Sequence, residues 1–223
     1  GVEGDLDTLT PLSLTSAITR EPLDTQSRGQ FAIKVITEAG TQRIAHFAFA
    51  LARKRKAQGG KGLVTCTSKY NMLRKSDGLF RDVVEATAKE YPDVLYDRYI
   101  VDDFARRLVA NPSQFDVVVT PNLYGDILSD VAAGTIGGLG LGPSGCYGDT
   151  YAYFESVHGS APDIAGQNII NPTATLLSAT LMLDYLGWPE EARRLEAAIV
   201  QVYASGTVLP PDQGGTASTT AFC

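Results

Sequence analysis

Short apolar runs alternate with segments of helical periodicity along most of the chain, and this alternation constrains the fold more than any other feature. Apolar, β-branched runs predict strands at 31–36, 62–67, 94–101, 115–120 and 151–157. Apolar residues at helical spacing predict helices that start after Thr37 and at 80–89, 104–109, 126–133, 173–186 and 190–204. Because strands separated by helices pair in parallel, we expect an α/β fold with a parallel or mixed sheet flanked by helices.

The composition of the 223-residue chain argues against several classes of partner. Its formal net charge of −6 argues against binding to nucleic acids or anionic membranes, which requires a basic face. The net charge does not argue against binding of a small anionic substrate, which needs only a local cation. We expect no membrane partner, since no apolar run is long enough to span a bilayer. The three cysteines and two histidines lack zinc-ligand or redox spacing, which favours a reduced protein of the cytoplasm or the mitochondrial matrix.

Two aspartates lie just after the apolar run at 115–120. Asp126 and Asp130 are four residues apart on a predicted helix, so their carboxylates share one face of its first turns. Two like charges at this spacing favour a cation between them, and oxygen ligands suit Mg²⁺ or Mn²⁺. Alternatively, both are solvated residues at a helix N-terminus, stabilised by the helix dipole. Spacing alone leaves both interpretations open.

Two long segments carry a resemblance to a known family. The first runs over 122–140 and contains both aspartates, and the second runs over 158–174. They resemble, in order and nearly without gaps, the metal-binding segment and the nucleotide loop of the isocitrate/isopropylmalate dehydrogenase family, whose members are metal-dependent β-decarboxylating dehydrogenases. The resemblance covers residues 1–222. It implies an isopropylmalate dehydrogenase-like α/β fold that is incomplete at the amino terminus.

The resemblance also implies a division into two domains. Residues 1–120 would form mostly the small, dimerisation domain with the catalytic lysine, and residues 121–223 the carboxy-terminal half of the large domain. Lys69 is identified with the catalytic lysine, and Asn71 with an asparagine near cofactor and substrate. Without the family, Lys69 at a strand end is an ordinary surface lysine.

The resemblance implies a metal site that is shared between the subunits of a homodimer. Asp102 corresponds to a catalytic aspartate that reaches across the dimer interface and binds the metal. With it, Asp126 and Asp130 would hold Mg²⁺ or Mn²⁺.

The nucleotide loop implies NAD as the cofactor. The resemblance implies that the cofactor is contacted by His158, Gly159, Ser160, Ala161, Asp163, Ile164 and Asn171, together with Asn71. Asp163 stands where NAD-using members carry an aspartate. A carboxylate there accepts hydrogen bonds from the ribose hydroxyls and repels a 2′-phosphate, as the acidic residue of Rossmann proteins does. For His158 the alternative is a loop histidine with a local hydrogen bond.

These implications predict NAD-dependent oxidative decarboxylation of a 2-hydroxy-3-carboxy acid of the isocitrate, isopropylmalate, homoisocitrate or tartrate/malate type. The substrate signals conflict, because 68–71 is closer to tartrate and D-malate enzymes and 76–80 to isocitrate or homoisocitrate enzymes. The family's tyrosine acid and substrate-binding arginines would precede Gly1. We therefore expect a homodimeric dehydrogenase whose amino-terminal part lies upstream or comes from a partner chain. The alternative is a truncated, non-redox relative that acts as a binding or regulatory subunit or as a metal-assisted lyase or cyclase.

Overall fold

The computed structural model describes residues 2–16 and 19–223. The chain divides into two compact units. The first extends to Phe104 and includes Ser113–Pro121, and the second comprises Ala105–Pro112 and Asn122–Cys223. Among the described residues, no helix is long and apolar enough to cross a membrane. The division into a dimerisation domain and half of a larger domain stays a prediction.

The strands and helices follow one another along both units. The strands are β1 (Val2–Asp5), β2 (Gln30–Ile33), β3 (Leu63–Ser68), β4 (Leu95–Ile100), β5 (Val117–Val119), β6 (Pro143–Tyr147) and β7 (Ala152–Ser156). The α-helices are α1 (Glu38–Ala57), α2 (Ser76–Ala88), α3 (Val101–Ala110), α4 (Asn122–Thr135), α5 (Thr173–Tyr185), α6 (Pro189–Ser205) and α7 (Thr219–Phe222).

The first unit is built on a parallel sheet of three strands in the order β4, β3, β5. The central strand β3 is buried from Val64 to Ser68, and α1 and α2 pack against it. Phe49 of α1 is fully buried, and its ring stacks on Tyr91 with 5.2 Å between the ring centroids. β1 and β2 form a separate antiparallel pair. A parallel sheet flanked by helices confirms the predicted α/β class.

Helix α1 begins where the sequence predicts, directly after Thr37. The Thr37 hydroxyl accepts a hydrogen bond of 3.2 Å from a backbone N–H of the first turn, as an N-cap residue does. At the other end, Arg53 donates two hydrogen bonds of 2.8 and 2.5 Å to Asp93, and Arg55 lies 3.2 Å from Asp116. The two arginines near the end of this helix are therefore paired with carboxylates of their own unit.

In the second unit an antiparallel strand pair packs against one helix, and a second helix packs against the first. β6 and β7 pair along their full length, and α5 lies against both strands and against α6. The buried Ser178 of α5 accepts a hydrogen bond of 3.2 Å from the N–H of Ser144 and donates one of 2.6 Å to the carbonyl of Glu155. One hydroxyl thus joins the helix to both strands.

Three local elements differ from those predicted. The first thirty residues contain β1 and a 3-10 helix at Leu6–Leu12, which are not among the predicted strands and helices. The glycine-rich stretch at 134–148 contains β6, whose backbone hydrogen bonds come from pairing with β7. Helix α4 begins at Asn122, four residues earlier than predicted, so Asp126 lies in its second turn.

Candidate functional site

Lys69 and Asp102 meet at the carboxyl ends of two paired strands. Ser68 of β3 pairs with Ile100 of β4, so the residues that follow these strand ends are neighbours. The Lys69 Nζ lies 2.5 Å from Asp102 Oδ1, and the Asp102 side chain is 67% exposed. The hydrogen bond from Lys69 holds the pKa of Asp102 below its usual value. The structure therefore joins the two residues that the resemblance identifies as catalytic.

A buried carboxylate lies behind this pair. Asp77, in the first turn of α2, is fully buried. Its Oδ2 accepts a hydrogen bond of 2.8 Å from the backbone N–H of Lys69, and its Oδ1 binds the ammonium group of Lys34. Neither Asp77 nor Lys34 was singled out as a site residue. The sequence signal was weak, because aspartate is common in the first turn of any helix.

Asn71 lies in the turn that follows Lys69. The carbonyl of Lys69 accepts the N–H groups of Met72 and Leu73, at 3.0 and 2.9 Å, which closes this turn. The exposed Asn71 lines an open cavity of about 750 Å³ together with Arg20, Met72, Leu73, Arg74, Lys75 and Ser76. Asn71 is thus accessible to a ligand.

The two aspartates of α4 form an oxygen-only pair. Asp126 and Asp130 are both exposed, and their spacing places them on one helix face. Asp126 Oδ2 accepts a hydrogen bond of 3.1 Å from Asn122 Nδ2. In the part of the chain that the structure describes, no three His, Cys, Asp or Glu residues lie together as a metal site. The donor chemistry fits Mg²⁺ or Mn²⁺, which requires further oxygen ligands beyond these two.

The predicted nucleotide loop borders a cavity of about 500 Å³ within the second unit. Five predicted cofactor residues line it: His158, Gly159, Ala161, Ile164 and Asn171. Its wall is completed by Leu139, Gly140, Ile169, Ile170, Pro211 and Asp212. Apolar side chains dominate this wall and a few polar groups converge on it, as in most small-molecule sites.

Two of the predicted cofactor residues lie elsewhere in the loop. Ser160 lines a neighbouring cavity of about 370 Å³. Asp163 lies in a 3-10 turn at Pro162–Ile164, and its side chain is exposed and lines neither cavity. Ala161 precedes this turn with a φ of 44°, a left-handed conformation that costs free energy for a residue with a Cβ.

Asn171 holds the wall of the 500 Å³ cavity. Its Nδ2 donates to the Tyr203 hydroxyl at 3.1 Å and to Asp212 Oδ2 at 3.0 Å. Its Oδ1 accepts the N–H of Thr173 at 3.0 Å. Because both amide hydrogens already have protein acceptors, the side chain fixes the cavity shape. Tyr203 and Asp212 were missed, since their sequence separation from Asn171 gives no pattern to detect.

Comparison with known proteins identifies the family. A family model described as isocitrate/isopropylmalate dehydrogenase matches residues 15–223. The chain belongs to this family. It is 53% identical over 188 residues to a 3-isopropylmalate/3-methylmalate dehydrogenase of Methanocaldococcus jannaschii, a match that covers 84% of this chain and 56% of that protein. It is 48% identical over 191 residues to a probable mitochondrial NAD isocitrate dehydrogenase subunit alpha of Caenorhabditis elegans, covering 86% and 52%.

Solved structures agree with this membership. The whole chain superposes on 60% of an isocitrate dehydrogenase from Methylococcus capsulatus, with a TM-score of 0.83 and 39% identity. This confirms both the family and the fold that the resemblance implied. As a member of the isocitrate/isopropylmalate dehydrogenase family, the chain spans about half the length of the curated relatives it matches.

Proposed function

We propose that this chain supplies the lysine, metal ligands and nucleotide loop of an NAD-dependent decarboxylating dehydrogenase that acts on a 2-hydroxy-3-carboxy acid. The observation that carries the proposal is the Lys69–Asp102 pair of 2.5 Å at the ends of β3 and β4. Such an amine, held by a carboxylate at the edge of a parallel sheet, lies where ligands bind in this class of fold. The relatives named above act, by their names, on isopropylmalate, methylmalate and isocitrate. They do not favour the non-redox alternative.

Lys69 would accept the proton of the substrate hydroxyl. A salt bridge with Asp102 favours the ammonium form, which has no lone pair to accept a proton. In the reactive arrangement Asp102 must therefore leave Lys69 for another positive partner, and the ammonium group must give up a proton before it can take the one on the substrate hydroxyl. Since the Asp102 side chain is 67% exposed, such an exchange needs no unfolding.

Asp126 and Asp130, with Asp102 of a second copy, would hold Mg²⁺ or Mn²⁺. When bound, this cation would favour loss of the hydroxyl proton and stabilise the negative charge left when CO₂ departs. The ligand set is assigned by family resemblance, and the exposed oxygen donors of α4 support it. The shared site also implies a homodimer, or a partner chain that supplies the remaining part of the subunit.

The adenosine part of NAD would enter the 500 Å³ cavity. Ile164, Ile169 and Leu139 offer it an apolar wall, while the exposed Asp163 carboxylate is available to the ribose hydroxyls. A negative charge at this position disfavours the 2′-phosphate of NADP by direct repulsion. We place the protein in the cytoplasm or the mitochondrial matrix.

The proposal is tested by incubating the purified protein, together with the upstream part or partner chain that completes the subunit, with Mg²⁺, NAD⁺ and a panel of isocitrate, isopropylmalate, homoisocitrate, tartrate and D-malate. We expect absorbance of NADH at 340 nm and CO₂ in equal amounts with at least one acid, and loss of both after chelation of the metal. Asp126→Asn should abolish turnover, whereas Glu196→Gln, on the exposed face of α6, should not. No turnover on any acid by the folded, completed subunit would overturn the dehydrogenase assignment.

A further inference from the structure

Asp77 occupies an unusual position for an acidic residue. It lies in the first turn of a 13-residue helix, where a carboxylate ordinarily caps backbone N–H groups or faces water. Here it is fully buried, and the first N–H groups of α2 bond instead to carbonyls of the preceding turn, at Leu73 and Lys75. The carboxylate is therefore available to accept hydrogen bonds from groups outside its own helix.

Both oxygens of this carboxylate are committed to contacts across the first unit. Oδ2 accepts the N–H of Lys69 at 2.8 Å, and Oδ1 is paired with the Lys34 ammonium group. A buried carboxylate is costly unless it is paired and hydrogen-bonded. Lys34, whose side chain remains 30% exposed, supplies the compensating charge.

A second contact joins the same two segments. The Ser68 hydroxyl donates a hydrogen bond of 3.3 Å to the backbone carbonyl of Asp77. The side chain and the main chain of Asp77 thus bind successive residues at the end of β3. Together they fix the backbone from which the Lys69 side chain departs toward Asp102.

From these contacts we infer that Asp77, charged and held by Lys34, is a positioning residue for the amine of Lys69. The inference rests on the proposed function, in which Lys69 accepts the substrate's hydroxyl proton. Lysine has four flexible side-chain bonds, so the place of its amine depends on a fixed backbone origin. Because a shift of about 1 Å in a reacting group can cost about a hundredfold in rate, releasing this backbone should lower kcat.

The primary test compares Asp77→Asn and Lys34→Gln with Asp82→Asn, an exposed acid on the same helix. We expect Asp77→Asn to lower kcat by 10- to 100-fold with the KM for the hydroxy acid changed less than threefold. Lys34→Gln should give a smaller loss of the same kind, and Asp82→Asn none. Because Lys34 acts through Asp77, the double variant should be no slower than Asp77→Asn alone. Unchanged kcat in folded Asp77→Asn, or losses that multiply in the double variant, would overturn the inference.

A second measurement keeps the inference testable without turnover. A backbone N–H that donates to a carboxylate has a distinctive amide ¹H shift, so the Lys69 resonance should move upfield in Asp77→Asn and, less, in Lys34→Gln. If Asp77→Asn does not fold, both kcat and the Lys69 amide shift are measured on Lys34→Gln alone. An inactive wild type that still shows these shifts would overturn the proposed function and support the contact. An unmoved Lys69 resonance would overturn the positioning role whether or not the protein turns over.

Discussion

The Lys69 Nζ and Asp102 Oδ1 lie 2.5 Å apart, and each residue follows the end of one of two paired parallel strands. This hydrogen bond lowers the pKa of Asp102 from its ordinary value of 3.8. Because the folded pKa is lowered, the pair's contribution to stability is present above the unfolded pKa of about 4 and is lost as pH falls through the folded pKa.

We predict that the Asp102 carboxyl titrates below pH 3.8 in the folded protein, as measured by ¹³C NMR. In Lys69→Met its midpoint should rise toward that value, since the donor is gone. Lys89→Met, at the far end of α2, provides a control of the same charge change. An identical Asp102 midpoint in wild type and Lys69→Met would show that the pair does not form in solution.

The metal assignment predicts the response of thermal stability to Mg²⁺ and Mn²⁺. A cation that binds only the folded state raises Tm by an amount that grows with its concentration. Asp126→Asn or Asp130→Asn should weaken this response at least tenfold in apparent affinity, because each removes a charged oxygen ligand. Differential scanning calorimetry at a series of metal concentrations measures this change in Tm. Glu196→Gln should respond like the wild type, and an equal response in the Asp126 variant would exclude that residue as a ligand.

Several elements of the fold follow from local sequence, and their success has a physical basis. The Thr37 cap is set by capping chemistry and the helix α6 by 3.6-residue periodicity, and both act within a few residues. Strand β6 escaped prediction because its sequence, with Pro143 and Gly145, carries no β pattern. Its hydrogen bonds come from β7, so only the tertiary partner specifies it.

The residues of the candidate site also fall into those that the sequence identifies and those that only the fold brings together. Lys69 and Asp102 could be named from family resemblance, but the strand pairing that brings them together comes from the fold. Asp77 is paired with Lys34, 43 positions away, and no local spacing in the sequence indicates this contact. The network around Asn171 likewise joins distant segments. Family resemblance therefore names the residues that we propose to act, whereas the contacts that hold them are visible only in the fold.

The exposed carboxylate of Asp163 predicts the choice between the two nicotinamide cofactors. Asp163→Lys removes a hydrogen-bond acceptor for the ribose hydroxyls and replaces repulsion of a 2′-phosphate with attraction. We expect kcat/KM for NAD⁺ to fall at least tenfold and the ratio of NADP⁺ to NAD⁺ efficiency to rise. Glu196→Lys makes the same charge change on α6 and should alter neither kcat/KM for NAD⁺ nor the ratio of the two efficiencies. A preserved ratio in Asp163→Lys would remove the specificity role from this residue.

The three cysteines predict different thiol reactivities. Cys66 of β3 is fully buried in the core of the first unit, whereas Cys146 and Cys223 are exposed. Burial raises the pKa of the Cys66 thiol to about 12, and the thiolate is the form that reacts with disulfide reagents. At pH 8 the folded protein should therefore react with two equivalents of Ellman's reagent and the denatured protein with three.

The variant Cys66→Ala tests whether Cys66 is the thiol that folding protects. It should react with two equivalents of Ellman's reagent in both the folded and the denatured state, because the protected thiol has been removed. The rate at which the third thiol of the wild type reacts without denaturant also reports how often the β3 core opens. Since β3 carries Lys69 at its end, we expect that rate to rise in Lys34→Gln, which weakens the contact that holds the strand end. A fast third thiol in the wild type would contradict a closed core around β3.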